Sequence, residues 1–109
     1  MPNPGDVVIC DFFGAQGRKR RPAVVVSTAL FHANSSDVIV GELTTQLTKA
    51  RAPTDYHLQD WAGAGLRQAS AFRVYFSMEL ETNIVAIGQL SARDWQQVQA
   101  RLRLGIAVT

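Results

Sequence analysis

The sequence predicts a mainly β fold of the α+β kind, a small barrel or curled antiparallel sheet finished by one C-terminal α-helix. Three observations carry that prediction. Short runs rich in β-branched and aromatic residues recur up to Gly88, each bounded by glycine, proline, asparagine or serine. No amphipathic helical pattern alternates with them, so β-α units with a parallel sheet are not indicated. Only the segment from Leu90 onward changes to the helical period.

Each element follows from local chemistry. Pro4-Gly5-Asp6 is turn chemistry ahead of Val7–Phe13, whose nearly continuous apolar run predicts a strand buried on both faces. Gly14-Ala15-Gln16-Gly17 breaks it, and four consecutive cations, Arg18 to Arg21, extend the break into a solvated basic loop. Ala23–Ser27 is the second strand, an antiparallel neighbour of the first, with Pro22 at its start where no ladder donor is needed. Thr28–Ser36 reads as a loop or a single helical turn. Asp37–Leu43 is the third strand and gives out in Thr44-Thr45-Gln46. By the two-residue period, Val40, Glu42 and Thr44 share one face of it. Pro53–Leu58 is a candidate short strand, Gln59–Gly65 a turn region, and Ala69–Phe76 and Asn83–Gly88 two further strands.

The helix start is the clearest signal. Ser91 is the N-cap, Asp94 completes a capping-box-like pair, and Leu90 can staple onto Trp95. Trp95, Val98 and Leu102 share a face, and Gly105 is the expected C′ residue.

The bulk composition bounds the function. At 109 residues, with 47% hydrophobic and 18% charged residues, one domain spanning 1–109 with a single core is expected, not a disordered chain. Net charge is only +2, yet the cations of Arg18–Arg21 have no acid near them between Phe12 and Asn34. That asymmetry points to an anionic partner at one place. Cys10 is the single cysteine, so an internal disulfide is excluded. Its apolar neighbours make it an inert thiol suited to a reducing compartment. No secretory leader and no apolar run of bilayer length is visible, so a cytoplasmic protein away from membranes is expected.

No metal-ligand or nucleophile motif stands out. His32 and His57 are isolated and read as loop or surface residues, and no metal is expected. What remains is Arg18, Lys19, Arg20 and Arg21, with Thr44, Gln46 and Arg73. From pattern alone, Thr44 and Gln46 also suit ordinary strand-end hydrogen bonding, and Arg73 suits the outer face of its sheet.

Five segments in order give these residues a common context: G-D-V-V-I-C-D-F from Gly5, R-R-P-A-V-V-V-S from Arg20, V-I-V-G-E-L-T-T-Q from Val38, D-W-A-G-A-G-L-R-Q-A-S-A-F-R-V from Asp60, and I-G-Q-L-S from Ile87. Together the chain resembles the PemK/MazF-like toxins of type II toxin–antitoxin systems, over roughly residues 5 to 105. The resemblance implies an SH3-like β-barrel with a C-terminal helix. It also implies a homodimer that needs no cofactor, cleaves single-stranded RNA without metal and is silenced by a cognate antitoxin protein. It places the catalytic role on Arg21 and Thr44 and RNA contact on Arg73. Lys19, Arg18, Arg20 and Gln46 are the accompanying RNA-binding candidates. The loop before Arg21 carries no acid and position 75 is Tyr75, where several members have an acid, so the motif assigns no base. Glu42, on the face of Thr44, is the substitute candidate. Two other readings share the fold: a non-catalytic nucleic-acid or protein-binding barrel, and a toxin that inhibits gyrase.

Chemically the residue types suit RNA. The ribose 2′-OH is already tethered beside the scissile phosphate, so the protein has to supply charge stabilisation and proton transfer. Arg21 offers a permanently charged planar fork, able also to assist the leaving 5′-oxygen, and Thr44 a fixed hydroxyl for a non-bridging oxygen. Sequence preference is expected in two loops, Leu47–Arg51 and Gln59–Arg67.

Overall fold

The computed structural model describes residues 2–14 and 17–108; Ala15 and Gln16, in the expected break after the first strand, lie outside them. Six strands form one curled antiparallel sheet: β1 (Asp6–Gly14), β2 (Gly17–Val25), β3 (Asp37–Thr44), β4 (Tyr56–His57), β5 (Ala71–Leu80) and β6 (Val85–Gln89). Their order across the sheet is β4-β5-β3-β2-β1-β6. A short helix α1 (Ala29–Ala33) joins β2 to β3, and α2 (Ala92–Gly105) ends the fold. This is the half-barrel with a C-terminal helix that the strand spacing predicts.

The sheet is buried on both faces over its centre. On one face Val7, Val24, Leu43 and Phe72 pack with Tyr56, Leu58 and Val98, under α2 and the β4 region. On the other, Val8, Cys10, Ala23, Val25, Val38 and Val40 form a second core. Val7 of β1 enters the first core and Val8, Cys10 and Phe12 enter the second, which is why the strand is apolar at most of these positions. The sheet curls around the second core far enough to bring Phe12 of β1 to Tyr75 of β5, with ring centroids 6.2 Å apart.

Five sequence expectations need correction. The basic run is not a loop: β2 already begins at Gly17 and pairs with β1 through Arg18–Phe13, Lys19–Phe12, Arg20–Asp11 and Arg21–Cys10. A two-stranded ribbon tolerates charge because its outer positions face water. Gly105 is not a left-handed C′ residue but lies inside α2. It is small because a Cβ there would sit 2.9 Å from Val74 Cγ1. Asp94, expected to close a capping box, is fully buried and turned to the β4 region instead. The Ser91 cap itself forms, its hydroxyl accepting the Asp94 amide at 3.2 Å. Thr28–Ser36 contains the single helical turn, with Thr28 as N-cap. Its His32 is buried, not superficial, and lies with Nε2 2.5 Å from Ser27 Oγ. The β5 strand runs to Leu80, four residues past its expected end, because Phe76–Leu80 keep pairing with β3.

Candidate active site

The cations of β2 separate by parity. Arg18 and Arg20 lie on the face of Asp11, with Arg18 Nε 3.0 Å and Arg20 Nη1 3.5 Å from its carboxylate. Lys19 and Arg21 lie on the opposite face, the side of Cys10 and Phe12, which they oppose in register. The acid near the basic run is thus Asp11, supplied by the partner strand and invisible to a reading along the chain.

Arg21 leads to the site. Its Nη1 lies 3.6 Å from Glu42 Oε1, with side chains 38% and 16% exposed, so the carboxylate is sheltered and the guanidinium open. The β2–β3 ladder ends at Ala23–Glu42. Two places further the same register would set Arg21 opposite Thr44. Thr44 is buried at the end of β3, and its Oγ1 accepts the Gln46 amide at 3.1 Å. The strand-end hydrogen bond is therefore present, and it leaves the hydroxyl proton for another acceptor. Gln46 itself is exposed.

Arg73 is on this face too, not the outer one. It opposes Glu42 across the β3–β5 ladder, just beyond a register shift at Gly41/Glu42. Its Nε reaches Asp55 Oδ1 at 3.4 Å. Asp55 is buried, and its other oxygen accepts the Ala52 amide at 3.0 Å. Arg73 is consequently a held cation beside Glu42. The same register shift places Tyr75, half exposed, against Phe12. Glu42, Arg73, Tyr75, Lys19 and Arg21 thus border one polar rim of the second core.

Asp94 builds the wall of the neighbouring loop. It accepts the Tyr56 hydroxyl at 2.6 Å, the Gln59 amide at 3.0 Å and the Asp60 amide at 2.8 Å. Burial, and then the hydrogen bond to Asp94, push the Tyr56 hydroxyl up to about 12. Asp60 is paired with Arg93 at 2.7 Å and accepts from Ser91, which hold its carboxyl below the ordinary value. Sequence reasoning missed Asp55 and Asp94 as parts of this region. The pairing distances span 18 residues for Arg73–Asp55 and 38 for Tyr56–Asp94, and no local motif carries them. Among the described residues no cluster of three or more potential metal ligands occurs. Among them no helix is long and apolar enough to cross a membrane.

A curled antiparallel half-barrel, helix-capped and basic at one strand end, defines the architecture of a small toxin fold. The family model of the PemK-like, MazF-like toxins of type II toxin–antitoxin systems matches residues 3–106, and the chain belongs to that family. Among solved structures it is similar to an endoribonuclease in complex with its cognate antitoxin from a mycobacterial species, at 18% identity and TM-score 0.77 over the whole of both chains. It is also similar to the MazE–MazF complex of Deinococcus radiodurans, at 20% identity and TM-score 0.65 over 97% of each chain. The Mycobacterium tuberculosis toxin MazF-mt6 matches at 18% identity and TM-score 0.72, over 89% of this chain and 91% of that one. At these identities the structures establish the fold. No curated protein sequence matches the chain.

Proposed function

We propose that this toxin is a metal-independent endoribonuclease that cuts single-stranded RNA by attack of the 2′-OH on the adjoining phosphate. The observation that carries the proposal is the Arg21–Glu42 pair at 3.6 Å, set beside Thr44 where β2 and β3 part. The sheltered Glu42 carboxylate takes the proton of the 2′-OH as its oxygen bonds to phosphorus. The P–O5′ bond breaks, and the leaving oxygen is protonated from solvent. The products are a 2′,3′-cyclic phosphate and a 5′-hydroxyl. Arg21 neutralises the charge gathering on the phosphorane, and Thr44 donates to a non-bridging oxygen. Arg73, tied to Asp55, stands opposite Glu42 across the β3–β5 ladder as a second cation for the RNA backbone. Lys19 meets the RNA backbone, and Tyr75 gives an unstacked base a surface. Arg18 and Arg20, on the Asp11 face, steer from a distance.

Two partners complete the reading. A second copy of the chain is proposed to cover β5. Beyond Phe72 this strand pairs with β3 only, because β4 spans just Tyr56–His57. Its outer half is thus an open sheet edge bearing Phe76, Met78 and Leu80, 37%, 56% and 48% exposed. The proposed antitoxin contributes an acidic segment to the cations of β2, in the cytoplasm. The test incubates purified protein with single-stranded RNA in excess chelator. Fragments ending in a cyclic phosphate are expected. Intact RNA alongside intact toxicity would transfer the argument to a purely binding barrel.

A further inference from the structure

Two acids neighbour Arg73. Glu42 is its ladder partner between β3 and β5, and side chains directly opposite in such a pair are close enough for opposite charges to join. Arg73 nevertheless pairs with Asp55, Nε to Oδ1 at 3.4 Å, while Glu42 pairs with Arg21 at 3.6 Å. The four charges are thus sorted into two pairs.

Asp55 is firmly held in its half of that arrangement. Its side chain is 4% exposed, against 41% for Arg73. Its second oxygen accepts the Ala52 amide at 3.0 Å, and its own amide donates back to the Ala52 carbonyl at 2.9 Å, closing the turn ahead of β4. From the other side Arg101 of α2 donates through Nε to the Asp55 carbonyl at 3.1 Å, and its guanidinium lies 5.2 Å from the Tyr56 ring centroid. A neutral asparagine would close this turn equally well. A buried negative charge is costly unless a cation answers it, and Arg73 is the cation that does. The contact engages the Nε–H donor of Arg73. The donors on Nη1 and Nη2 make no hydrogen bond among the described residues.

We propose that Asp55 is a positioning residue for RNA: its charge holds Arg73 by the Nε edge and away from Glu42, so that the Nη edge is presented to a phosphate. The proposal rests on the RNA reading above. Asp55 touches neither the RNA nor the reacting atoms and acts through Arg73. Without its charge Arg73 is free to turn to Glu42, and the phosphate loses a cation.

The test turns on a sign. Asp55→Asn keeps an acceptor for the Ala52 amide, and so the turn, but removes a negative charge from a nucleic-acid site. Through the electrostatic field alone that change tightens binding. Loss of positioning weakens it. Binding of a randomised single-stranded 2′-deoxy oligonucleotide, which 2′-OH attack cannot cut, is measured against salt. The proteins are the wild type, Asp55→Asn, Asp55→Glu, Arg73→Ala, and Asp55→Asn combined with Arg73→Ala. Asp55→Asn should bind about 3- to 30-fold more weakly. Its log–log salt slope should be flatter by up to about 0.7, the value for one phosphate. Asp55→Glu should recover part of the loss, and Asp55→Asn should cost nothing further once Arg73 is alanine. Should Arg73→Ala not fold with its acid left unpaired, the sign and slope of Asp55→Asn decide alone. Unchanged or tighter binding by Asp55→Asn, the same loss with and without Arg73, or no oligonucleotide binding by the wild type would overturn the proposal. Weaker binding by Asp55→Asn, with a wild type that leaves single-stranded RNA intact, would keep the positioning role and remove the nuclease reading. RNA cleavage by the wild type with Asp55→Asn unaffected would do the reverse.

Discussion

In the proposed mechanism Arg21 and Glu42 divide the chemistry at the scale of single side chains. Arg21→Ala removes the only proposed cation on the phosphorane. Its cleavage rate should drop on the order of 10²- to 10³-fold, as for loss of one oxyanion donor. Glu42→Gln keeps the shape and removes the base, so the rate should fall roughly 10²-fold with RNA binding retained. Both are read as single-turnover cleavage of single-stranded RNA in chelator, and wild-type rates in either variant would dismiss the assignment. Cys10 stands apart from this chemistry. Burial, and then the nearby acids Glu79 and Asp11, push its thiol up to about 12. At pH 8 it should resist alkylation in the native protein and react once the protein is unfolded in urea. Rapid native labelling followed by mass spectrometry would show a more open second core.

Elements set what these residues can reach. Because β2 is a strand from Gly17, its cations serve two faces. Lys19→Ala should therefore flatten the salt dependence of RNA binding by about 0.7 in log–log slope, the value for one phosphate on a single strand. Arg18→Ala should change that slope less, since Arg18 already leans on Asp11. Equal slopes for the two variants would contradict the parity argument. The start of α2 acts as an anchor for the loop that begins at Gln59 and Asp60. Tyr56 has a raised value in the folded protein, about 12 against 10.0. Its contribution to stability is complete below about pH 10 and is lost as the pH rises toward about 12. The urea midpoint of the wild type should thus decline more steeply over that window than that of Tyr56→Phe. Parallel declines would mean that the Tyr56–Asp94 bond carries no pH-linked stability.

For the whole molecule, the half-open β5 edge is the feature that an isolated chain leaves unsatisfied. Met78→Glu places a charge on it and should convert a dimer into a monomer by light scattering. It should do so without altering the circular dichroism of the fold. A wild type that is monomeric at micromolar concentration would remove the second copy from the proposal.

The strand-and-helix plan was legible in the sequence because it is written locally. Val7 and Val8 of β1 enter opposite cores, Ser91 caps α2, and Trp95, Val98 and Leu102 recur at the helical period. Pro22 and the end of β3 likewise marked the candidate site region, and the family model spans the quoted motifs. Facing direction was not legible. Whether a cation of β2 meets Asp11 or Glu42 depends on the ladder partners of β2. Whether Arg73 meets Glu42 depends on their pairing across the β3–β5 ladder. Those are contacts between residues far apart in the chain, and a sequence carries no local signature of them. The residue types thus determined which groups are on hand for the proposed RNA chemistry. The tertiary structure alone decided which of them meet, since only the curled sheet brings Arg21, Glu42 and Arg73 to one rim.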